Sequence, residues 1–162
     1  MYSNRDFAIK HIIYKYSHSF EPTSPYLGLF KMLDGRCIIH AQQYSGFTLI
    51  DEELQFTQII TWEGIERAYT KTIEIDEELF DNMYFDIVNT LPYMMQKDDV
   101  LGFDGDDLRV EIEDFYGHKC NIGYWCPDDA SEENHPFNKV YRGFIEVLKI
   151  VGFYKWYDKL RG

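Results

Sequence analysis

Cysteine is scarce in this chain of 162 residues. There are three, an odd number that argues against a disulfide framework and fits a reducing compartment. Basic residues are few as well: 16 Lys and Arg face 28 Asp and Glu, a net charge of −12. A phosphate backbone would be repelled by such a surface, so nucleic acid is not expected as a partner. No apolar run approaches the roughly 18 residues that a membrane-spanning helix requires. The opening MYSNRDFAIKHIIYKYSHSF has neither an uninterrupted apolar stretch nor a small-residue cleavage site. Membrane insertion and secretion are therefore not expected, and a cytoplasmic location is the default. Catalytic signatures are also missing. There is no G-x-S-x-G elbow, no G-x-x-x-x-G-K-[ST] phosphate loop, no G-x-G-x-x-G fingerprint and no H-E-x-x-H pair, and no cofactor is expected.

Apolar and aromatic residues are plentiful. Hydrophobic residues make up 45% of the chain and aromatics 17%, enough buried surface to offset the entropy of ordering, so one globular domain over residues 1–162 is expected. The charge is unevenly spread. Residues 1–50 carry +2 and residues 134–162 carry +4, while 51–133 hold 23 acids against five bases. Acidity concentrated in the middle of the chain favours encounter with a basic partner if it gathers on one face, and otherwise serves solubility.

The apolar pattern reads as strands first. Phe7 to His18 is apolar on both parities, as in a strand covered on two faces. Tyr26 to Leu33 and Arg36 to Tyr44 flank Asp34-Gly35, a dipeptide suited to a type I′ hairpin turn. Gln58 to Trp62 and Arg67 to Ile75 form a further strand pair around Glu63-Gly64, with Thr70, Thr72 and Glu74 toward water. Leu79, Phe80, Met83, Tyr84, Ile87, Val88 and Leu91 then keep helical spacing, which predicts a helix over about 77–91 with Asp76 as N-cap. Leu108, Val110 and Ile112 alternate with Arg109, Glu111 and Glu113, and Tyr116-Gly117 turns the chain into His118 to Trp125. Pro136 opens a second helix over about 136–151 that stops at Gly152, after which Phe153, Trp156, Tyr157 and Leu160 suit a short packed segment. Hairpins without regular strand–helix alternation predict an α+β fold: a mainly antiparallel sheet with two helices packed on it.

Few residues suggest chemistry. The acidic loop from Asp98 to Asp107 invites calcium, but counting from Asp104 puts Leu108 and Arg109 at positions five and six of an EF-hand, so that motif fails. His118, Cys120, Cys126 and His135 have the right donor atoms for zinc, yet no C-x-x-C or H-x3-H pair is present and core packing is favoured. Trp125-Cys126-Pro127 resembles the start of a redox motif, but the second cysteine is replaced by Asp129. His11, His18 and His40 fall in predicted strands and read as structural. Lys139, Arg142 and Lys149 read as the solvated face of the second helix.

No metal site is expected, and the functional expectation is a non-catalytic acidic protein that docks a basic macromolecular partner, as inhibitors and immunity-type neutralisers of toxins do. The analogy rests on charge and size. Asp104, Asp106, Asp107, Glu111 and Glu113 are the expected partner-binding residues. The alternative is an enzyme or small-ligand binder whose pocket is assembled from distant Tyr, Trp, His and Asp/Glu residues. Self-association through Phe153, Trp156 and Tyr157 is a third expectation, conditional on their exposure. Oligomeric state is not encoded in any pattern found.

Overall fold

The computed structural model describes residues 8–18, 26–44, 55–61, 64–93, 106–125 and 136–154. They form an α+β fold in which one seven-stranded antiparallel sheet carries two helices. The strands are β1 (Ala8–His18), β2 (Tyr26–Met32), β3 (Cys37–Tyr44), β4 (Gln55–Thr61), β5 (Gly64–Ile75), β6 (Asp106–Glu113) and β7 (Lys119–Trp125). Their order across the sheet is β4-β5-β3-β2-β1-β6-β7, so the first strand lies near the centre. The helices are α1 (Glu77–Val88) and α2 (Pro136–Val151). No helix among the described residues is long and apolar enough to cross a membrane.

Strand alternation assigns the two faces. Ile12, Tyr14 and Tyr16 of β1 are partnered across the ladders by Leu27 and Leu29 of β2 and by Ile112, Val110 and Leu108 of β6. With Cys37, Ile39 and Ala41 of β3 and Ile122 and Tyr124 of β7, they make one buried layer. Phe80, Met83 and Ile87 of α1 close over it, together with Val140, Phe144, Val147, Leu148 and Val151 of α2. The second face bears the other parity and carries no helix among the described residues. His11, Ile13 and Phe30 are nonetheless buried there, so β1 is covered on both sides as its composition predicts.

The helix ends have local and distant causes. Beyond α2, Gly152 takes a positive φ of 81°, its N–H reaches the Lys149 carbonyl, and the Phe153 N–H reaches that of Leu148. This is a Schellman ending, and it turns Phe153 into the core. Phe153 is thus unavailable for self-association, while Trp156, Tyr157 and Leu160 lie outside the described residues. Asp76 stands at the N-cap of α1 without a side-chain cap bond. That helix stops at Val88, short of the predicted Leu91. The Thr90 hydroxyl donates back to the Ile87 carbonyl at 2.6 Å and meets the Tyr124 phenol at 2.8 Å, and a 3-10 turn over Leu91–Tyr93 follows. Burial pushes the Tyr124 phenol up to about 12, against the opposing effect of its hydrogen bond with Thr90. Tyr124 therefore stays neutral as it ties β7 to the end of α1.

Two hairpins use the same loop. Gly35 N–H reaches the Met32 carbonyl, Met32 N–H reaches that of Arg36, and Gly35 has φ of 88°. The loop is thus three residues, 33–35, with a glycine at its last position, and the predicted two-residue type I′ turn is replaced by a turn with a bulge. The β6–β7 connection repeats it, with Gly117 N–H to the Asp114 carbonyl, Asp114 N–H to that of His118, and φ of 78° at Gly117. In the first loop the backbone N–H of Arg36 and then its guanidinium hold the Asp34 carboxyl below the usual carboxylate range. A folded pKa below the unfolded one gives stabilisation that is complete above the unfolded value and is lost as pH falls through the folded one. In an NMR titration Asp34 should therefore titrate below ~3.9, and Arg36→Ala should return it part of the way, since the backbone bond survives. An unchanged Asp34 midpoint in that variant would remove the guanidinium from the account.

Candidate functional site

Antiparallel register places charged side chains in rows on the second face. His11 of β1 lies opposite Glu113 of β6, which lies opposite Lys119 of β7. One step along, Ile13, Glu111 and Asn121 align, and then Lys15, Arg109 and Gly123. Residues two apart on a strand share a face, so Glu111 and Glu113 both stand beside His11. The His11 Nε2 is 3.1 Å from Glu111 Oε1 and 3.5 Å from Glu113 Oε2. The Lys119 ammonium sits 3.8 and 3.7 Å from the same two oxygens. Side-chain exposure rises outward from 4% at His11 through 13% at Glu111 and 26% at Glu113 to 43% at Lys119. A carboxylate accepts only, so Nε2 of His11 is the donor to Glu111. A groove of about 450 Å³ adjoins the cluster, lined by Lys15, Asp107, Arg109, Glu111, Asn121 and Gly123.

The expected partner-binding acids separate on this framework. Asp107, Glu111 and Glu113 share the second face, Asp106 takes the alternate register position opposite His18, and Asp104 lies outside the described residues. From Asp107 to Glu113 the strand runs about 20 Å at ~3.4 Å per residue. Cations accompany these acids: Arg109 Nε donates to Asp107 at 2.9 Å, and Lys119 attends Glu111 and Glu113. Local alternation identified the acids but carried no sign of His11 or Lys119, which reach them from other strands.

A more exposed set of acids collects at the end of the sheet where β2, β5 and β6 finish. Both three-residue loops and the start of α1 lie at this end, because Met32, Ile75 and Glu113 are the terminal residues of their strands there. Asp34, Glu74, Asp76, Glu77 and Glu78 are all exposed. The loop runs beside the start of the helix, where a Cβ built on Gly35 would lie 3.8 Å from the Glu77 carboxylate. Lys31 braces the group through Glu77 at 2.7 Å and Asp81 at 2.9 Å. The hydrogen bond to Glu77 raises the Lys31 pKa further than its burial lowers it, so the cation is firmly charged. At the tip of the second loop Phe115 and Tyr116 are 67% and 82% exposed and meet edge to face at 5.6 Å. The Asp114 carboxylate accepts the N–H groups of Tyr116 and His118 and contacts the His118 ring at 2.8 Å, which fixes the loop beneath the aromatics.

His118 belongs to that turn and stands outside β7, so it does not share a strand face with Cys120, which is half-buried against the core. Cys126 and His135, the loop from Asp98 to Gly105, and Cys126-Pro127 of the redox-like motif lie outside the described residues. Burial pushes the Cys37 thiol up, and its Sγ donates to the Gly35 carbonyl, which marks a packing cysteine. His40 is structural: burial lowers its pKa, and its Nδ1 meets Thr72 at 2.9 Å. Lys139, Arg142 and Lys149 lie on the exposed face of α2. Comparison of the chain with protein-family models, with curated proteins and with solved structures finds no match to any of the three.

Proposed function

We propose that this is a non-catalytic binding protein that docks a basic macromolecule through the loop end of its sheet. One observation carries the proposal: an exposed aromatic pair, Phe115 and Tyr116, shares that end with the acids Asp34, Glu74, Asp76, Glu77 and Glu78. Exposed aromatics supply the large contact area on which macromolecular affinity concentrates, and surrounding charge governs encounter rate and partner choice. Strand spacing of ~4.8 Å puts the two loops roughly 14 Å apart, well inside a standard interface. The overall charge of −12 directs the partner's sign toward positive.

The test is capture of partners from the cells that make the protein, followed by association kinetics of the recovered partner at low and high salt. Glu77→Lys with Glu78→Lys should slow association about tenfold or more at low salt and little at high salt, because exposed charges are screened beyond ~10 Å at 0.1 M. Phe115→Ser with Tyr116→Ser should instead speed dissociation, with an affinity loss of about 30-fold or more. Recovery of small metabolites only, or a partner indifferent to both variants, would overturn the proposal.

A further inference from the structure

We infer that His11, Glu111 and Glu113 form a binding site for a divalent transition cation of the zinc class. One imidazole nitrogen and two carboxylate oxygens converge from two paired strands, and the three donor atoms all lie within 4.8 Å of one another. The His11-to-carboxylate separations of 3.1 and 3.5 Å can be compared with the edges of a tetrahedral zinc site. Bonds of ~2.0–2.2 Å give ligand-to-ligand edges of roughly 3.3–3.6 Å, so the two edges from His11 stand within a few tenths of an ångström of that geometry, and the edge between the two carboxylates, within 4.8 Å, is the one that a bound ion would draw in.

Donor chemistry narrows the ion. Calcium and magnesium favour all-oxygen shells, whereas a nitrogen ligand with carboxylates suits zinc and its first-row neighbours. The surroundings supply the other requirements of a site. His11 is buried and its ring lies 6.3 Å from that of Phe30, so the nitrogen is aimed by packing on a rigid ladder. Glu111 also lines the 450 Å³ groove, which leaves a direction open to a water molecule or an exogenous ligand in the fourth position.

Lys119 distinguishes a metal site from a structural polar network. Its ammonium stands against the same two oxygens that would hold the cation, and its side chain is 43% exposed. Metal and ammonium therefore compete for one pair of carboxylates, and the lysine has solvent to swing into. In a purely structural network Lys119 would be a supporting member, and its removal would create no affinity for metal.

The experiment uses the full chain, stripped with chelator, in calorimetric titration with zinc chloride and in absorption spectroscopy with cobalt(II). We expect one equivalent to bind, with a cobalt spectrum of nitrogen and oxygen ligation that lacks thiolate bands. Glu113→Gln, which keeps the shape of the side chain, should weaken zinc binding at least tenfold. Lys119→Ala, at a position whose side chain is 43% exposed, should tighten it at least threefold. Absence of heat in both wild type and Lys119→Ala would overturn the inference. So would thiolate bands, or a zinc affinity that neither substitution changes, since the metal would then sit elsewhere.

Discussion

Phe144→Ala is expected to lower the melting temperature by about 10 °C or more. Phe144 is fully buried on α2, and its ring lies 5.4 Å from that of Tyr16, nearly parallel, and 5.7 Å from that of Tyr14. It thus packs α2 against β1. Truncation removes the buried ring and leaves a void between two phenol rings that a rigid sheet cannot close, a loss of about 3–5 kcal/mol. Folded domains are stable by only ~5–15 kcal/mol, so a large fraction of the total is at stake. At this chain length each kcal/mol shifts the midpoint by roughly 2–4 °C. Calorimetry or circular dichroism melts would check it, and a shift below about 3 °C would show that α2 is held by other contacts.

Gly28→Ala carries the next largest effect, on the opposite face. A Cβ at Gly28 would come within 2.7 and 2.8 Å of the Phe30 ring and 2.9 Å of the Tyr26 hydroxyl. The Phe30 ring lies across the glycine, in the space that any other residue would fill with its own side chain, and it is buried by doing so. One added methyl must push that ring out of its place, at a cost of about 1–3 kcal/mol. The cause is testable through coupling: combined with Phe30→Leu, the alanine should cost markedly less than it does alone. Additive losses would mean that Phe30 is not what the methyl strikes.

The most legible parts of the fold were those whose signals are local. Pro136, the helical spacing from Phe137 to Val151 and Gly152 delimit α2 to the residue, and the alternation of Leu108, Val110 and Ile112 assigns the faces of β6. Illegible features depend on partners far along the chain. Thr90 ends α1 with help from Tyr124, 34 residues away, and no window around Leu91 contains that information. The candidate site follows the same division. Glu111 and Glu113 are legible as charges on an alternating strand, whereas His11, 100 residues from Glu111, has the local pattern of an ordinary strand histidine. The acid-rich loop end is illegible for a related reason: Asp34, Glu74 and Phe115 come to one end of the sheet only once two hairpin loops and the connection from β5 to α1 are brought level by the strand register. Asp106 stands out by the density of acids around it, but its register position opposite His18 is off the face that Asp107, Glu111 and Glu113 share.

The placement of β1 has a consequence for how the chain acquires its shape. Its two neighbours in the sheet are β2, which follows within a few residues, and β6, which is synthesised roughly 90 residues later. During translation the nascent chain can zip β1 to β2 and β3 early, yet one flank of β1 stays unpaired until the ribosome has delivered the final hairpin. Closing so long a loop is entropically slow, which makes completion of that flank the natural candidate for the late step. Amide protons that β1 and β6 share should accordingly gain protection from exchange last in a pulse-labelled refolding experiment, after those between β2 and β3.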